Sequence, residues 1–83
     1  MRRYPKQVVN LEVHKSSIMH YKGPLGHATT MAIQAALHAK GVKTLPTNQL
    51  DPDRWLDTQP HLRLVRAEWN LNGTGFYRFE VYE

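Results

Sequence analysis

Cysteine is missing from the 83 residues of this chain, so neither a disulfide framework nor a thiolate zinc site can add to its stability. Its absence also fits a reducing cytoplasm, the compartment expected here. No apolar run approaches the roughly 20 residues that span a bilayer. The basic start, Met1-Arg2-Arg3-Tyr4-Pro5-Lys6, leads into a strand-like segment and not into the apolar stretch of a secretory signal. Internal repeats and low-complexity segments are lacking too. What remains is 41% apolar, ordinary for a folded protein, and short enough to be read as one domain, 1–83.

Acids are scarce in one half. Residues 1–49 carry Arg2, Arg3, Lys6, Lys15, Lys22, Lys40 and Lys43 against Glu12 alone, a balance of +6. Residues 50–83 carry four arginines against six acids, a balance of −2. A basic half can meet phosphates or an acidic protein surface, or serve only as a solvated face.

Catalytic constellations are missing as well. The five histidines, His14, His20, His27, His38 and His61, include no pair spaced four apart. His14 and His20 could meet across a hairpin, but structural or surface histidine is the favoured reading. Ser16 and Ser17 lie near both without a nucleophile elbow, and helix capping explains Asp51 and Asp53. The expectation is a non-enzymatic protein without metal or cofactor.

The pattern that is present describes an α+β domain. Gln7 to His14 alternates, with Val9, Leu11 and Val13 on the core face of a strand. Ile18 to Tyr21 reads as a second strand or a short helix. His27 to Lys40 reads as the main helix, with Ala28, Ala32, Ala35 and Ala39 as a stripe for close approach to a sheet and Gly41 as its stop. Val42 to Gln49 is extended. Asp51-Pro52-Asp53 starts a helical turn over Pro52 to Thr58 that buries Trp55 and Leu56. Leu62 to Trp69 and Phe76 to Tyr82 form a C-terminal hairpin around Asn72-Gly73, with Val65, Ala67 and Trp69 sharing the core face with Tyr77, Phe79 and Val81. The sum is an antiparallel sheet of three to four strands with one main helix on a face.

Gly23-Pro24-Leu25-Gly26 precedes the helix and is a candidate phosphate loop with His27, since glycines let backbone amides approach an anion. A tight turn with Leu25 packed on Met31 or its neighbours is the favoured reading. Tyr21 to Val42 resembles the acyl-CoA loop and helix of GNAT acetyltransferases over Gly26-His27-Ala28, although Gly23 stands where that pattern has Gln or Arg. The same loop is similar in spacing to the Gly-x-x-Gly of KH modules, which would imply single-stranded nucleic acid. A stacking platform of Trp69, Tyr77, Phe79 and Tyr82 beside Arg63, Arg66 and Arg78 competes with a core role for those aromatics, and the core role is favoured.

The functional expectation is a small binding protein for an acidic partner, either nucleic acid or a protein or nucleoprotein surface. Its anchors are Arg2, Arg3, Lys6, Lys15, Lys22, Lys40 and Lys43. In size and character it resembles phage and mobile-element accessory proteins that inhibit a host complex, the anti-CRISPR proteins among them. The alternative is a minimal acyl-CoA or nucleotide-phosphate binder using Gly23–Gly26. Self-association into a homodimer is open to either.

Overall fold

In the computed structural model, which describes residues 4–18 and 20–82, the last strand of the chain is the middle strand of the sheet. The elements run β1 (Gln7–His14), α1 (Thr30–Ala39), α2 (Pro52–Asp57), β2 (Leu62–Trp69) and β3 (Thr74–Val81). The sheet is antiparallel in the order β1-β3-β2, with β2 and β3 forming the expected hairpin. One main helix packs on it, so the α+β reading holds with three strands. The stretch read as a fourth strand or a helix is neither: residues 15–18 and 20–23 are irregular, and Ile18 is 87% exposed. Met19 lies outside the described residues. No helix among the described residues is long and apolar enough to cross a membrane.

Alternation places Val9, Leu11 and Val13 of β1 on the same side of the sheet as Tyr77, Phe79 and Val81 of β3, all buried. On β2 the expected phase is broken. A bulge between Leu64 and Arg66 inserts an extra residue, so Leu62 and Leu64 face inward before it and Ala67 and Trp69 after it. Val65, expected in the core, is the bulged residue and is 48% exposed.

The main helix begins three residues later than its composition suggests. Residues 24–28 are spent in turns closed by Gly26 N–H to the Gly23 carbonyl and Ala28 N–H to the Leu25 carbonyl. Thr29 then caps α1 by accepting the Ala32 N–H at 3.0 Å. His27 is therefore outside the helix. The alanine stripe is only half kept: Ala28 is wholly buried and Ala32 packs against the core, but Ala35 and Ala39 are exposed. The centre of the buried face shifts to Ile33 and Leu37 on the flank of the stripe, with Thr30 buried too. Two large aliphatics four apart bury more apolar area than alanines do, and that decides the rotation of the helix. At the other end Gly41, at φ +79°, permits a Schellman close. Gly41 N–H reaches the His38 carbonyl, Val42 N–H reaches that of Leu37, and Val42 joins Leu37 in the core.

Asp51 caps α2 as expected, accepting from Asp53 and Arg54 N–H, and Trp55 is fully buried. Gln59, 1% exposed, holds down the segment 42–50, which has no regular secondary structure where the sequence suggests an extended stretch. Its side-chain oxygen accepts Leu45 N–H at 2.6 Å and its amide donates to the Leu45 carbonyl at 3.0 Å.

The turn at Gly26 has no room for a side chain. A Cβ there would lie 1.9 Å from the Tyr21 carbonyl oxygen, a backbone atom that cannot swing away. Gly26→Ala is expected to lower the free energy of unfolding by about 1–3 kcal/mol, read from the urea midpoint at unchanged slope.

Candidate functional site

Three surfaces are candidates: the glycine loop, the basic anchors and the hollows at the hairpin end. The glycine loop wraps a carboxylate that the chain itself supplies. Asp53 accepts the Leu25 N–H at 3.3 Å, and a Cβ on Gly23 would fall 2.5 Å from the same carboxyl group. The Gly23 φ of +114° lets the backbone make that approach. The loop thus gives an amide to an anion, and the anion is Asp53. Burial, together with the neighbouring Asp51 and Asp57, raises the Asp53 pKa above the usual carboxylate value, and the Leu25 bond only partly offsets this. The Tyr77 hydroxyl is pushed up first by desolvation and then by the Asp53 charge. Among the described residues, Asp53 Oδ2, Tyr77 Oη and Trp55 Nε1 are buried with no hydrogen-bond partner. Leu25 is wholly buried in the core cluster that also holds Ile33 and Leu37, whereas Met31 is 79% exposed.

The described basic residues do not form one patch. Lys6 and Lys15 bond the two ends of the same ladder, Lys6 N–H to the Val81 carbonyl and Lys15 N–H to that of Gly73. The length of β1 between them holds the two about 30 Å apart. Lys43 lies at the Lys6 end, where its carbonyl contacts His61 Nε2 at 2.7 Å. Lys40 lies past the last turn of α1, in a groove that also contains Glu12. Lys15 belongs to the opposite end, and Lys22 is exposed two residues past His20, which lines the same hollow as Lys15. Arg2 and Arg3 lie outside the described residues.

At the Lys15 end the fold brings together more than the sequence spacing signalled. Two adjoining hollows, about 430 and 100 Å³, share Lys15 and Gly73 as walls. The first adds His14, Ser17, His20 and Asn72; the second adds His27, Trp69, Asn70 and Leu71. No acid lines either hollow among the described residues. His14 and His20 do share a cleft, although no hairpin joins them. Among the described residues no group of His, Cys, Asp and Glu could hold a metal ion.

An aromatic row forms one side of this cleft. His20 meets His27 edge-on at 5.5 Å, His27 meets Trp69 at 5.2 Å, and Trp69 meets Tyr77 at 5.6 Å. Tyr77 and Phe79 are core residues as favoured, while Trp69 is only half-buried and joins core to cleft. Gly75, opposite Trp69 in the ladder, makes this possible: a Cβ there would lie 2.7 Å from the indole ring. The Trp69 indole N–H also points to the Pro24 carbonyl at 3.5 Å, linking the hairpin to the glycine loop. Asn72 shapes the turn by accepting Thr74 N–H at 3.0 Å. Sequence patterning located the turn but not the cleft, because His20, His27 and Trp69 are brought together by the irregular segment between β1 and α1.

No protein-family model, curated protein or solved structure matches this chain.

Two substitutions separate the loop from the cleft. Gly75→Ala should displace the Trp69 ring while leaving Phe79 buried. The expected outcome is a shift of the His27 and His20 ring resonances, with β1–β3 amide protection retained in hydrogen exchange. Asp53→Asn keeps an oxygen for the Leu25 N–H and sheds the charge. Because the Asp53 pKa is raised on folding, its contribution to stability is fully present below the unfolded pKa and is lost as pH rises through the folded one. The stability of Asp53→Asn relative to the wild type should therefore be greater at neutral pH than at about pH 3, read from paired urea titrations. The reverse order would mean that the charge, and not the oxygen, holds the loop.

Proposed function

We propose that this is a non-enzymatic binding domain that engages an anionic macromolecule, nucleic acid foremost, through the cleft at the hairpin end. One observation carries the reading: a concave surface lined by Lys15, His14, His20 and His27 with no carboxylate among its described walls. Such a surface favours phosphate over cationic ligands and focuses its field outward. The row His20, His27 and Trp69 supplies flat π-surfaces beside those donors, the combination by which single-stranded nucleic acid is held without sequence readout. Lys22, exposed on the irregular segment that carries His20, extends the positive potential. The phosphate-loop alternative is less well supported, because Asp53 already occupies the Leu25 amide and would repel a second anion.

The test is fluorescence anisotropy with a labelled single-stranded oligonucleotide at about 50 and 200 mM salt. Binding is expected at the lower salt, weakening steeply at the higher, with Lys15→Glu weaker by roughly tenfold or more. Lys6→Glu, at the far end of the sheet, should change little. Absence of binding at low salt, or equal loss in both variants, would remove the cleft from consideration.

A further inference from the structure

The outer face of the sheet, bordered along β1 by Ala36, Ala39 and Lys40 at the end of α1, has a charge pattern that suits a copy of itself. Its register sets side chains in rows across the three strands. One row is Asn10, Arg78 and Arg66; the next is Glu12, Phe76 and Glu68. Two arginines directly opposite one another are unfavourable within a single sheet. Here Arg66 turns along its own strand to Glu68, and Arg78 donates to Asn10 at 3.0 Å. Arg66 and Glu68 remain more than half exposed, at 59% and 55%. Around them Val8, Val65 and Phe76 leave apolar surface in water. A cationic row thus lies beside an anionic row, about 6.6 Å away.

We infer that this face pairs with the same face of a second copy, about a two-fold axis that lies between the two rows and runs across the strands. That operation lays each strand antiparallel over its own counterpart. Arg66 then faces Glu68 of the second copy, Arg78 faces the ring of its Phe76, and Asn10 faces its Glu12. Each contact occurs twice, as an isologous interface requires. An ion pair, a cation–π contact and a hydrogen bond result, with apolar residues between them.

Charge also argues against other occupants. On the three strands Arg63, Arg66 and Arg78 are matched by Glu12, Glu68 and Glu80, and Lys40 borders the face beside Glu12, so a surplus of one cation gives it little attraction for phosphate. Carboxylates on both sides of Phe76 repel a nucleic-acid backbone. An unrelated protein would have to reproduce the row pattern, which a second copy supplies by symmetry. The face is small: its three short strands give a flat footprint of roughly 370 Å² per copy. That is below the ~800 Å² per partner of a standard interface, so the dimer is reversible.

Sedimentation of the full chain from about 10 to 500 μM at low salt tests this. The weight-average mass is expected to climb from 9.6 kDa toward twice that value. Arg66→Glu and Glu68→Arg should each stay monomeric, because each puts like charges in register. Their equimolar mixture should dimerise, since the two carboxylates of one chain then face the two guanidinium groups of the other. That recovery also shows both variants are folded. A wild-type chain that stays monomeric throughout, single variants that dimerise like the wild type, or a mixture that stays monomeric would each overturn the proposal. Oligonucleotide binding lost in Arg78→Glu and kept in Lys15→Glu would assign the face to nucleic acid and overturn it as well.

Discussion

Everything in this fold depends on β3 being paired along both edges. Phe79 and Tyr77 can be almost wholly buried only because β1 and β2 flank them and Ile33 and Leu37 of α1 help close the core above. The strand that organises the core is therefore the last in the chain. Its partner β1 lies at the other end of the sequence, and the long β1–β3 pairing must close most of the chain as a loop. Local structure alone cannot build this domain.

That constraint explains which parts were legible. The β1 alternation, the Asp51-Pro52 cap and the Asn72-Gly73 turn are local signals, and each falls within a residue or two of its expected place. The strand order is not local, and nothing in the spacing of β1 announces that β3 is its neighbour. The rotation of α1 is intermediate. Composition drew attention to the alanines, but Ile33 and Leu37 won the core because they remove more apolar surface from water. Val65 failed for a different reason: a bulge adds one residue and reverses the phase of everything before it, and no residue type demands it there.

The candidate sites divide the same way. Gly23 and Gly26 did mark a close backbone approach, but the group approached is a carboxylate 28 residues beyond Leu25. A glycine loop read in isolation looks like a receptor for an external anion, whereas here the anion comes from the first turn of α2. Asp53 reads locally as a dipole partner for that turn, and its second role appears only when α2 is brought against the loop. One amide bond does not repay the burial of its charge, which is why its pKa rises despite the Leu25 N–H. The loop is thus a tether inside the fold, and the open surface lies beyond it at Trp69.

Net charge proves a poor guide to that surface, and arrangement a better one. Among the described basic residues the ladder holds Lys6 and Lys15 about 30 Å apart, so the excess of the first half is not gathered in one place. In the proposed cleft the cation is Lys15, gathered with three imidazoles where no carboxylate stands among the described walls. The sheet's outer face, by contrast, nearly balances its charges and keeps those of its strands sorted into rows. A sum over either region would make the first modest and the second featureless. Recognition depends on which charges share a surface, and that is decided by strand register and by the path of one irregular segment.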